Sequence, residues 1–252
     1  MTARNRLGII VYSPALIGND GRTLAVVQGM EHALPGLRLE WMASDDGRLV
    51  PLPQRDVWLA EGAKQAGFPL VCNGDESYPV TVAGWGRPAR LGAGGQSQFE
   101  VHAKLPLDEA TVIAAPDVLE GIAEGSHALW GHATPFRAGV EIAGQTLDPV
   151  HKPGVPPRGL PALKFPEKLR SPEIPHRLGW LNYWSAAAAQ AIGFPDPARD
   201  ADLLSRSRRT ATGGWVVRLT ETPLDLDNPA HLAALLRAYE RFPEIGGRVT
   251  PG

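Results

Sequence analysis

A single cysteine, Cys72, stands in 252 residues. No internal disulfide can form, which points to a reducing compartment. Charge of neither sign dominates: 25 Lys and Arg against 27 Asp and Glu leave a net charge of −2. A dedicated nucleic-acid or anionic-membrane binder carries a basic footprint, and this chain does not. Long apolar runs are missing too. The run 7–12, behind Arg4 and Arg6, is too short for a secretory h-region, and nothing approaches the roughly 20 residues that cross a bilayer. The expected compartment is therefore the cytoplasm, with neither nucleic acid nor membrane as partner. Catalytic signatures are also lacking. G-x-G-x-x-G, G-x-S-x-G and H-E-x-x-H do not occur, and no Cys or His set has metal-ligand spacing. Neither a cofactor nor a metal is expected.

Proline and glycine, by contrast, are plentiful, at 24 and 28 residues. Eight prolines crowd the segment from Pro149 to Pro175, where each blocks a helix and withholds a ladder donor. The segment 148–176 reads as an ordered or semi-ordered excursion anchored by Leu160, Leu163, Phe165 and Leu169; a flexible linker is the rival reading. With 43% hydrophobic residues the chain can bury a sizeable core. Two regions are expected around that core: a β-α-β region over 1–96, and an α+β core domain over 97–252 that carries the excursion.

The clearest local statement is RLGWLNYWSAAAAQAIGFP, over 177–195. Residues 178–184 are apolar and aromatic, the makeup of a buried strand. Ser185 falls where an N-cap belongs, AAAAQAI forms helix well, and Gly193 with Pro195 stops it. In such a strand Trp180, Asn182 and Trp184 share one face and Tyr183 points the other way.

Elsewhere the pattern predicts a strand over 7–12, a helix from Asp20 or Thr23 to Leu34, and short strands over 37–42 and 48–52. A helix over 54–66 and strands over 69–72 and 78–83 follow. The glycine-rich stretch 84–95 reads as loop, and 98–105 as a half-exposed strand. Its Phe99, Val101, Ala103 and Leu105 take one face, Glu100, His102 and Lys104 the other. A helix over 108–124 should kink or split at Pro116, and 127–133 should return as a strand. Strands near 203–209 and 215–219, turning at Thr212-Gly213-Gly214, precede a last helix opened by Asn228-Pro229. That grammar is an α+β fold, with a mixed or mainly antiparallel sheet and helices on one face. The specific expectation is a ferredoxin-like, split-βαβ core within 98–241.

Candidate chemistry is sparse. Cys72 reads as a buried structural thiol, because no base stands near it in sequence. His127 and His132 read as ordinary polar or core histidines, and Glu120 and Glu124 as a solvated helix face. Arg206, Arg208 and Arg209 form the one dense basic cluster, able to hold a phosphate or an acidic partner surface. Glu221, Asp225 and Asp227 precede the last helix, where acids favour the macrodipole but also suit a basic partner.

The stretch 179–248, opening G-W-x-N-Y-x-S and running through helix, strand pair and final helix, resembles the C-terminal part of a bacterial family. That family is domain of unknown function 5953, itself similar to immunity protein 52 and to type VI secretion immunity families. HALWGHATP, over 127–135, resembles their small strand carrying W-G. The resemblance implies a non-enzymatic immunity protein that binds a cognate bacterial toxin and occludes its active site. Arg206, Arg208, Glu221, Asp225 and Asp227 are then the candidate partner-binding residues. Two alternatives stay open. One is a small enzyme with a site near loop 84–97 and His102, His127 or His132. The other is a structural module that oligomerises, for instance as a homodimer, through helix 229–242.

Overall fold

The computed structural model of the chain describes residues 5–18, 20–44, 46–61, 67–147 and 154–248. Ten strands form one sheet: β1 (Arg6–Pro14), β2 (Trp41–Ala43), β3 (Leu49–Pro51), β4 (Phe68–Cys72), β5 (Thr81–Arg87), β6 (Gln98–Pro106), β7 (Trp130–Pro135), β8 (Leu181–Trp184), β9 (Ser207–Arg209) and β10 (Trp215–Arg218). They lie in the order β3-β2-β4-β5-β6-β1-β7-β8-β10-β9, and every neighbouring pair is antiparallel. Seven helices accompany them among the described residues: α1 (Arg22–Ala33), α2 (Arg55–Glu61), α3 (Glu109–Ser126), α4 (Phe136–Ala143), α5 (Ala186–Ala191), α6 (Ala201–Leu204) and α7 (Pro229–Arg241). No helix among the described residues is long and apolar enough to cross a membrane.

The expected ferredoxin-like core within 98–241 is not isolated there. β6 and β7 do flank a strand antiparallel to both, with α3 connecting them, but that strand is β1, from outside the segment. Nor are the helices on one face. On the first face lie Leu7, Ile9 and Val11 of β1, with Val101 and Ala103 of β6 beside them in register. Tyr183 of β8 shares this face, and its hydroxyl reaches Glu124 of α3 at 2.9 Å. The second face carries Tyr12, Trp130, Trp184 and Trp215 in one row across β1, β7, β8 and β10. Phe242, at the end of α7, packs edge-on to Trp184 at 5.2 Å. All four residues of β8 are buried, which demands a layer on each side of the sheet.

α1 and α3 pack closely because glycines meet where they cross. A Cβ on Gly121 would sit 2.6 Å from the Gly29 carbonyl oxygen. α3 also absorbs Pro116 without splitting. Asp108 caps it by accepting from the Thr111 amide at 2.8 Å, and burial of Ala115, Val118, Leu119 and Ile122 outweighs the roughly 3 kcal/mol a mid-helix proline costs. His127 is the left-handed cap that ends α3 rather than a strand residue, so it is exposed and shares no element with His132.

Four further expectations are corrected. β5 continues through Gly84–Arg87 as strand, since Gly84 leaves room for the Phe68 and Phe99 rings. Residues 201–204 are helical, so β9 starts only at Ser207 and Arg206 precedes it. Glu100 is 4% exposed, so the second face of β6 is not simply solvated. α4 stands where no helix was expected. Of the proline-rich segment, 148–153 lie outside the described residues, as do 62–66 of the expected second helix; 154–176 pack through buried Leu160, Leu163, Leu169 and Ile174, with Phe165 half-buried.

Candidate functional site

The GWLNYWS stretch is scaffold. Asn182 is fully buried and spends its amide on Gly179, accepting from the backbone N–H at 2.9 Å and donating to the carbonyl at 3.1 Å. Ser185 caps α5 by accepting from the Ala188 amide at 3.2 Å. Trp180 donates its indole N–H to the Thr220 carbonyl at 2.9 Å. None of these groups is free for chemistry.

Three of the five predicted partner-binding residues come together. Arg206, Arg208 and Glu221 line a cleft of about 400 Å³ with Ile113, Asp117, Val216 and Arg218. Arg206 pairs with Asp202 at 2.7 Å, and its Nε is buried without a partner among the described residues. Arg208 is tied to α3, with Asp117 at 2.6 Å and Glu120 at 2.5 Å. Burial opposes its charge, but these acids raise its pKa overall. Arg218 lies 4.0 Å from Glu221, itself largely exposed, and over the Trp180 ring. Ile113, 71% exposed, stands at the rim.

Asp225 and Asp227 belong to another set of contacts. Asp227 pairs with Arg137 of α4 and, at 2.6 Å, with Arg158 of the proline-rich segment. The hydrogen bond from Arg158 leads the influences that hold its carboxyl below the usual range. Asp225 accepts from the Asp227 amide at 3.0 Å and donates its own amide to His231 Nδ1 at 3.1 Å. Phe136 and Val140 of α4 are exposed on the same helix as Arg137.

A second polar group, on the second face of the sheet, was only half legible. His102 and His132 flank Ile10 in register, one on β6 and one on β7. His102 Nε2 meets Glu100 Oε1 at 2.7 Å, and Arg87 donates to Glu100 Oε2 at 3.0 Å. Burial works against the charge of Glu100, yet His102 and Arg87 hold its pKa below the ordinary value. Tyr12 stacks on Trp130 at 4.2 Å, and burial followed by Glu100 pushes its hydroxyl pKa up. His132 is buried. Burial, reinforced by Arg177, His102 and His176, takes its pKa down to about 3. His176 follows the same course, also to about 3, through burial and then Arg177. Among the described residues no group of three or more His, Cys, Asp or Glu is placed to hold a metal ion. Cys72 is buried.

This architecture defines a two-faced antiparallel α+β sheet protein with polar sites on both faces. Residues 18–250 match the family model described as domain of unknown function DUF5953, and the chain belongs to that family. The fold is similar to a solved structure, the Pseudomonas aeruginosa T6SS protein PA0821, with a TM-score of 0.56. That likeness covers 95% of this chain and 76% of the other at 16% identity, so it is a likeness of fold. No curated protein matches the chain in sequence.

Proposed function

We propose that the chain is an immunity-type protein that binds a bacterial toxin of a type VI or polymorphic system and occludes its active site. The observation that carries this reading is the fold shared with a T6SS protein across 95% of the chain. The cleft at Arg206, Arg208 and Glu221 fits the role in form. An exposed aliphatic side chain, Ile113, sits beside arginines paired with acids at the surface, the arrangement of an anchor with a polar rim. Asp225 and Asp227, beside exposed Phe136 and Val140, form a second surface of the same kind. On this reading the polar groups serve recognition, and electrostatic complementarity sets the choice of toxin.

Co-expression tests it. The product of the neighbouring reading frame, if toxic, is expected to lose its toxicity in the presence of this chain and to co-purify with it. Full toxicity with no complex would contradict the proposal.

A further inference from the structure

Between α6 and α7 lies a cavity of about 250 Å³ in which arginines outnumber acids. Arg199, Arg206, Arg237 and Arg241 line it, against Asp200 and Asp202. Both aspartates are already engaged. Asp200, fully enclosed, clasps Arg241 at two points, Nε at 2.6 Å and one Nη at 2.9 Å, and also accepts from the Asp196 amide at 2.7 Å. Arg241 further donates to the Gly193 carbonyl at 2.8 Å and lies 4.7 Å from the centre of the Phe242 ring, so it is a fixed wall of the cavity. Asp202 takes Arg206 at 2.7 Å.

Arg199 and Arg237 are left over. Neither guanidinium has a hydrogen-bond or ion-pair partner among the described residues. Both side chains are exposed, so the cavity opens to solvent beside them. The rest of the lining is apolar: Leu219 and Ala238 are buried, Leu203 and Ala234 half-buried. A concave site with low-dielectric walls and one sign of charge focuses its field and gathers counter-ions. Two like charges are also screened less there than on an open surface, so an anion between them relieves their repulsion.

We propose that this cavity binds a small organic oxyanion, a carboxylate or a phosphate monoester carried on a compact apolar body. Arg199 and Arg237 supply the charge and planar N–H forks that match either group, and the Leu203, Leu219 and Ala238 side chains receive the body. The volume falls just below the roughly 300–1,000 Å³ of pockets for drug-sized ligands, which limits the occupant to a small molecule. The inference does not rest on toxin binding. Of this lining only Arg206 is shared with the cleft at Arg208 and Glu221.

The test is a titration of the full chain with benzoate and, separately, phenyl phosphate at constant ionic strength in chloride. Benzyl alcohol is the neutral match for the apolar body. Backbone amide signals are followed by nitrogen–proton correlation NMR. Saturable shifts centred on Leu203, Leu219, Ala234 and Ala238 are expected with an anion, and the tighter of the two anions tells phosphate from carboxylate. The alcohol is expected to bind at least about tenfold more weakly. Arg199→Gln and Arg237→Gln are each expected to weaken the anion roughly ten- to hundredfold, the loss of one charge-assisted contact. If a Gln variant does not fold, Arg237→Lys decides, since it keeps the charge but loses the fork, and a several-fold weaker response then supports the site. The proposal is overturned by the absence of saturable shifts with either anion, by shifts that map away from the cavity, or by equal affinity for the alcohol. An anion affinity unchanged by substitution of Arg199 and of Arg237 would overturn it as well.

Discussion

Replacing Gly121 by alanine sets two effects of known size against each other. In a helix interior alanine is favoured over glycine by about 0.8–1.0 kcal/mol, so propensity alone predicts stabilisation. The new Cβ, however, would sit 2.6 Å from the Gly29 carbonyl oxygen and 2.9 Å from its carbon. Ordinary contact starts at 3.4 Å, so α1 and α3 must part by about 0.8 Å. A gap of that size forfeits a quarter to a half of each dispersion contact along the crossing, and overpacking typically costs about 1–3 kcal/mol. Packing wins. Gly121→Ala is expected to lower stability by about 1–2 kcal/mol in urea unfolding, or Tm by about 3–6 °C. Gly139→Ala in α4 is the matched control, because its Cβ meets nothing nearer than Thr134 Cγ2 at 3.8 Å. That variant is expected to gain about 0.5–1 kcal/mol. Shifts of the same sign in both variants would refute the close crossing of α1 and α3.

Trp184→Ala removes a fully buried ring that meets Phe194 at 5.1 Å and Phe242 at 5.2 Å. It should cost about 3–5 kcal/mol by chemical denaturation, and a loss below about 1 would mean that the second face is loosely packed. Asn228→Ala deletes the acceptor that meets the Ala230 amide at 2.9 Å, and about 1 kcal/mol of stability should go with it; an unchanged urea midpoint would show the cap to be idle. His132 and His176 have folded pKa values near 3, below the usual 6.5. The unfolded chain thus takes up protons that the folded chain refuses. Their contribution is complete above about pH 6.5 and falls by up to about 1.4 kcal/mol per pH unit for each histidine down to about pH 3. His176→Gln should remove about half of that slope between pH 6.5 and 5, and a stability–pH curve that it leaves untouched would contradict the burial.

Much of the fold was legible because local signals agreed. The Ser185 cap, the Asn228-Pro229 opening and the Thr212-Gly213-Gly214 turn each rest on neighbouring residues and stand where capping put them, whereas of the strand expected over 178–184 only Leu181–Trp184 pairs in the sheet. Placing the helices on one face failed for a reason already present in the reading. With Leu181 and Tyr183 on one face of β8 and Asn182 and Trp184 on the other, all four buried, a second covering layer is required. α4 was hidden because Pro135 precedes it and Gly139 interrupts its propensity. The glycines at 84 and 86 masked a strand whose pairing with β6 is set by distant partners, Phe68 and Phe99.

The polar sites divide in the same way. Arg206 and Arg208 stood out as a charge run, and the alternation over 98–105 marked His102 as facing away from the first core. Arg177 and His176 gave no signal, since the contact of His176 with the Lys164 carbonyl depends on how the proline-rich segment folds. Glu100 was readable as polar but not as buried: its two partners are His102 and Arg87, the latter in a glycine-rich stretch that reads as loop but pairs as β5, and sequence spacing alone does not bring all three together.

Isothermal titration of the purified product of the neighbouring reading frame, the proposed toxin, with this chain and with an Arg206→Glu, Asp227→Arg double variant tests the central claim most directly. A tight one-to-one complex for the unaltered chain, weakened at least roughly thirtyfold by charge reversal at both surfaces, is the predicted result. No heat of binding with the unaltered chain would contradict the account, and equal affinity for the double variant would remove both surfaces from it.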